Sequence, residues 1–195
     1  MKYSDYYRLD NAALHVLKDC DLHELPINAA KIANMVGIYV LPYNLSYNIL
    51  NKLDLIEESK ISNGLTGFIE DPIILYNEKM NEGDKRVVIG HEIGHIILEH
   101  VYDHKSATNL RWLTTDAMEY GANLFCEQLI APTCVLSKMG VSTESKIINI
   151  CDVNQKGAYF VLNENEKRMR IPKKSTQIEK DILKMFEEYI NRNKV

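Results

Sequence analysis

The chain has 195 residues, 46% of them hydrophobic and 26% charged, with a formal net charge of -4; this describes one ordinary domain with a full core and a small appendage. Mixed charge signs argue against a chain organised around nucleic acid, leaving at most a local basic patch. No apolar run approaches the roughly 20 residues of a spanning helix, the opening Met1 to Tyr7 lacks an apolar signal core, and Cys20, Cys126, Cys134 and Cys151 form no Cys-x-x-Cys pair, so reduced thiols, a cytoplasmic location and no membrane partner are expected.

From Tyr6 to Cys20, apolar Leu9, Ala13, Val16, Leu17 and Cys20 recur at helical spacing and predict an amphipathic opening helix. Pro26 to Gly37 reads as a short helix with Asn28 as N-cap and Gly37 as its stop, followed by a strand at Ile38 to Leu41. The segment Asn44 to Lys60, apolar at Leu45, Ile49, Leu53 and Ile56, reads as one helix. Leu65 to Glu70 and Pro72 to Asn77 are two strands separated at Asp71 and Pro72. The second is either an ordinary core strand or a sheet edge able to pair with an extended peptide.

After the turn Asn81-Glu82-Gly83, a helix is expected from Asp84 to about Val101, and it contains His91-Glu92-Ile93-Gly94-His95. Histidines at i and i+4 lie one turn apart on one face and can close on a single metal ion. Zinc accepts imidazole nitrogens at about 2.0 to 2.1 Å, and a catalytic site needs three protein ligands with one position left open. Glu92, directly after the first histidine, is placed to act as general base. The Ile, Val and Leu flanks send this helix to a core. Gly90 and Gly94, also i and i+4, would let a second backbone approach. His100 falls on the opposite face of a straight helix, and Glu99 reads as its polar rim.

A third ligand must come from elsewhere. Thr114 to Pro132 carries the stripe Met118, Ala122, Phe125 and Leu129, started by Thr115 or Asp116 and stopped near Pro132. Glu119 sits at the edge of that stripe and is the leading candidate. Asp116, which also reads as an N-cap with Glu119 as capping-box partner, is the competitor, and Glu127 reads as solvated. Asn123, i+4 from Glu119, reads as a satisfied helix-edge amide that could instead support a ligand.

Past Pro132 the chain stays helical. Val141 to Cys151 and Gln155 to about Met169 read as two helices joined by Asp152-Val153-Asn154, a helix-turn-helix-like arrangement. The second carries Lys156, Lys167, Arg168 and Arg170, which could meet phosphates but suit a solvated face better. Gln177 to Ile190 is an amphipathic closing helix.

The order of these parts resembles the ImmA/IrrE family of zinc metallopeptidases, which typically shows His-Glu-x-Gly-His-x-x-Leu-x-His and Glu-x-x-Ala-Asn-x-Phe-Ala-x-x-Leu-Leu-x-Pro. Here the two stretches read His91-Glu92-Ile93-Gly94-His95-Ile96-Ile97-Leu98-Glu99-His100 and Glu119-x-x-Ala122-Asn123-x-Phe125-Cys126-x-x-Leu129-Ile130-x-Pro132. Cys126 for Ala, Ile130 for Leu and the Glu99-His100 pair depart from the pattern without touching the chemistry, and the match runs well from about Pro26 to Pro132. The resemblance implies an α+β fold: a zincin-like core over residues 1–132 with a small antiparallel or mixed sheet, and a helical, helix-turn-helix-like lobe over 133–195. It implies His91, His95 and Glu119 as zinc ligands, Glu92 as base, and a helix-turn-helix repressor of a phage, mobile element or stress regulon as protein substrate. The oxyanion donor stays open among Tyr76, Tyr120, His100 and His104. The alternative from another class is a DNA-binding or protein-interaction regulator whose zinc site is structural or vestigial.

Overall fold

A computed structural model describes residues 3–100, 115–170 and 175–194. The fold is mixed and mostly helical, with one small three-stranded sheet. It divides into two compact units, Ala29–Asn123 and Met1–Asn28 with Leu124–Val195.

In the first unit the strands β1 (Tyr39–Pro42), β2 (Gly64–Phe68) and β3 (Pro72–Tyr76) are ordered β1-β3-β2. β3 runs parallel to β1 and antiparallel to β2, with Thr66 opposite Ile74. The core-strand alternative for β3 is therefore the one realised, and among the described residues the edges are β1 and β2. The reason lies in composition: Ile73, Ile74 and Leu75 are at most 4% exposed, a continuous apolar run that needs cover on both faces. β2, with Gly64, Thr66 and Gly67, tolerates an edge.

Helix α2 (Ala29–Met35) is closed by Gly37 at φ +80°, and packs on β1 and on α5 (Glu82–Ile97). α5 lies against β2 and β3. The single helix expected over 44–60 is instead a 3-10 turn at Tyr43–Leu45 and two short helices, α3 (Tyr47–Lys52) and α4 (Ile56–Ile61). Asp54 breaks them in a left-handed conformation, φ 55°. That break turns both Leu53 and Leu55 into the cluster formed by Leu50, Leu65, Ile73 and Leu75, which residues at i and i+2 of one straight helix cannot do.

The second unit is helical: α1 (Tyr3–Asp19), the end of α6 (Asp116–Ile130), α7 (Thr133–Met139), α8 (Glu144–Cys151), α9 (Gln155–Met169), α10 (Gln177–Met185) and α11 (Glu187–Asn193). α1 packs on α10, α7 on α10 and α11, and α8 on α9. The opening helix buries Leu9, Ala13, Val16, Leu17 and Cys20 as its spacing requires. The expected closing helix is two, broken at the fully buried Phe186.

Two charged residues lie where the sequence reading did not place them. Glu127 and Arg168, expected in solvent, are 2% and 4% exposed. Arg168 grips Asp10 with two donors, Nη2 to Oδ1 at 2.8 Å and Nε to Oδ2 at 3.0 Å. Its Nη1 donates to Glu127 Oε1 at 3.0 Å and lies 2.7 Å from Oε2, which receives no aligned hydrogen bond among the described residues. Tyr6 lies under the guanidinium and donates its hydroxyl to Glu164 Oε2 at 2.9 Å, while Lys167 donates to Oε1 at 2.6 Å. Residues far apart in sequence are thus tied through one buried cation.

Arg168→Met is expected to destabilise the chain by about 3–5 kcal/mol in denaturant unfolding, because buried carboxylates lose their cation. Burial pushes the Glu127 carboxyl up to about 8; Asp10 and Glu164 add to the rise, and Arg168 opposes it. The folded chain therefore keeps a proton that an unfolded glutamate has lost, and stability falls as pH rises from the ordinary carboxylate range through about 8. Melting temperatures measured across that window should decline in the wild type and flatten in Glu127→Gln.

Candidate metal centre

α5 starts where Asn81 Oδ1 accepts the Asp84 amide at 2.8 Å, with Glu82 and Asp84 in its first turn favouring the helix N-terminus. Ile89 and Ile93 bury its apolar face. His91 and His95 follow at one-turn spacing, half-buried and buried respectively. The helix stops at Ile97, short of the expected Val101, which lies outside the described residues. Glu99 turns left-handed, φ 60°, and the His100 amide bonds back to the His95 carbonyl at 2.9 Å. That reversal corrects the reading of His100 as opposite-facing: its Nδ1 lies 3.2 Å from His95 Nδ1.

α6 begins where Thr115 Oγ1 accepts the Met118 amide at 3.3 Å. Thr115, not Asp116, is the cap, and Asp116 is an exposed first-turn residue. Glu119, one turn in, points at the histidines: Oε2 is 3.3 Å from His91 Nε2 and Oε1 is 3.4 Å from His95 Nε2. The two imidazole Nε2 atoms are 2.9 Å apart. One donor atom each from His91, His95 and Glu119 falls within 4.8 Å of the others, the only such group of His, Cys, Asp or Glu side chains among the described residues.

The donors suit a small divalent cation. Tetrahedral ligands about 2.0 to 2.1 Å from a shared centre stand about 3.3 Å apart. Both histidine–glutamate separations match, and the imidazole pair is a few tenths closer. The electrostatics agree: burial disfavours the charged form of His91, yet the hydrogen bond to Glu119 and the carboxylates of Glu92 and Glu119 outweigh it and raise the ring above its ordinary value. The pocket favours positive charge.

Asn123 supports this arrangement, against the reading of it as a helix-edge amide alone. Its Oδ1 lies 3.0 Å from His91 Nδ1; with that oxygen as acceptor, the ring proton sits on Nδ1 and the Nε2 lone pair faces Glu119 and His95. Glu92 is 8% exposed, and its Oε2 accepts the Thr66 hydroxyl at 2.6 Å. α5 lies so close to β2 at this point that a Cβ on Gly64 would stand 2.4 Å from Val88 Cγ1 and 3.1 Å from Glu92 Oε1. Glycine is required for the close approach. Sequence reasoning missed Thr66 and Gly64, because nothing in a strand's alternation says which helix residue lies above it. Of the oxyanion candidates, His104 lies outside the described residues.

Residues 53–145, just under half of the chain, match the model of the Peptidase M78 family, described as the IrrE N-terminal-like domain. A protein of Bacillus phage phi105, named uncharacterized immunity region protein 2, is 24% identical over 127 residues, covering 65% of this chain and 72% of that protein. No solved structure matches significantly. The segment that carries His91, Glu92, His95 and Glu119 is thus similar to the IrrE N-terminal-like domain of the Peptidase M78 family.

Proposed function

We propose that the protein is a zinc-dependent endopeptidase with a zincin-like core, acting in the cytoplasm on a helix-turn-helix repressor of a phage, mobile element or stress regulon. The observation that carries this reading is the convergence of His91 Nε2, His95 Nε2 and a Glu119 carboxylate, with Glu92 held one residue away on the same helix. His91, His95 and Glu119 would hold the ion. Zinc so held supplies Lewis-acid chemistry, polarising a carbonyl and making water acidic enough to lose its proton near neutral pH.

The chain's own residues do the rest. Glu92 takes the proton from the attacking water and passes it to the leaving amine. Asn123 keeps the His91 lone pair turned inward. β2 stands at the sheet edge with Thr66 directly against Glu92, so an extended substrate segment lying along it would bring its backbone to the base. A relative named for a phage immunity region supports placing the substrate among repressors, and four cysteines outside any disulfide fit a reducing compartment. The DNA-binding alternative is weakened: Arg168 is buried in an ion-pair network, Lys167 bonds Glu164 and Arg170, just past α9, lies beside Glu166, while Lys156 is exposed at the other end of the helix.

Purified Glu119→Ala should bind zinc at least about tenfold more weakly than wild type, while Asp116→Ala keeps wild-type affinity. Zinc titration against a chelating dye reads this; equal loss in both variants would return the third ligand to open contest. Glu92→Gln should keep its zinc and cut a helix-turn-helix repressor that the wild type cleaves about a hundredfold more slowly or worse, measured by the appearance of fragments. Equal cleavage by both proteins would remove Glu92 from the role of base.

A further inference from the structure

We propose that Thr66 is a positioning residue that holds the Glu92 carboxylate in its working orientation, an inference that rests on the peptidase reading above. Thr66 Oγ1 donates to Glu92 Oε2 at 2.6 Å, a short bond of the kind formed by a hydroxyl on a carboxylate. The contact joins two elements that are themselves fixed. Glu92 sits on the buried side of α5, and Thr66 pairs across the sheet with the fully buried Ile74.

Thr66 is β-branched, so its side-chain rotamers are few and the strand backbone sets where the hydroxyl points. Gly64, two residues earlier and therefore on the same face of β2, leaves room for the other carboxylate oxygen; a Cβ there would stand 3.1 Å from Glu92 Oε1. One oxygen is held by a donor and the other lies over a bare backbone. The carboxylate plane is therefore set by β2, the strand along which the proposed substrate lies, so substrate and base take their positions from one rigid element.

The test separates positioning from folding. In zinc-loaded protein, acetohydroxamate binds a metal with two oxygens and gives its proton to the neighbouring carboxylate, so its affinity reports where Glu92 stands. Thr66→Val keeps the shape and removes the donor; calorimetry should show an acetohydroxamate Kd raised about tenfold, with zinc affinity unchanged. Thr66→Ser, which restores the hydroxyl, should return most of that affinity. A Thr66→Val protein that binds acetohydroxamate as wild type does, or equal losses in the Val and Ser variants, would overturn the inference. Glu92→Gln is the control: if it weakens acetohydroxamate and Thr66→Val does not, the positioning role alone fails. If Glu92→Gln leaves binding unchanged, both the base assignment and the positioning role fail.

Discussion

Two imidazole nitrogens and a carboxylate brought within a few ångströms of one another favour a positive charge among them. In this chain the three meet at 2.9 to 3.4 Å, and everything around them favours that charge. Glu92 and Glu119 both raise the proton affinity of His91 against its burial, and Asn123 holds the ring so that its free lone pair joins the group. A purely apolar helix crossing would have been cheaper to fold. Such a cluster is what a candidate site for a cation would need.

Its precision comes from packing more than from the cluster itself. α5 can approach β2 because Gly64 has no side chain for Val88 and Glu92 to meet. The same closeness lets a strand hydroxyl reach a helix carboxylate at 2.6 Å. At the helix end, the left-handed Glu99 turns the chain back and sets His100 against His95. Each histidine of the pair thus has one ring nitrogen toward Glu119 and the other toward a polar side chain, and that pairing limits how the rings can rotate.

The helical unit uses charge differently. Arg168 is surrounded by Asp10 and Glu127, with Tyr6 bridging to Glu164. Buried ion pairs seldom add much net stability over apolar packing, but they tolerate few alternative arrangements. One cation here ties α1, α6 and α9 together. Burial, with Asp10 and Glu164 adding to it, pushes the Glu127 carboxyl up against the opposing pull of Arg168.

Local spacing made part of this visible in advance. The i and i+4 histidines, the glutamate between them, the stripe that makes Asp116–Ile130 a helix and the β-branched run of β3 are properties of consecutive residues. So are the amphipathic α1 and the break between α8 and α9. Other features were not visible. The chain reversals at Asp54 and Glu99, the central place of β3 and the burial of Glu127 and Arg168 depend on residues distant in sequence. Neighbouring residues alone specify that His91 and His95 could hold a cation and Glu92 could move a proton, because one helical turn places them together. That Glu119 and not Asp116 lies against the histidines, and that Thr66 meets Glu92, follows from how helices and a strand pack, which no periodicity records.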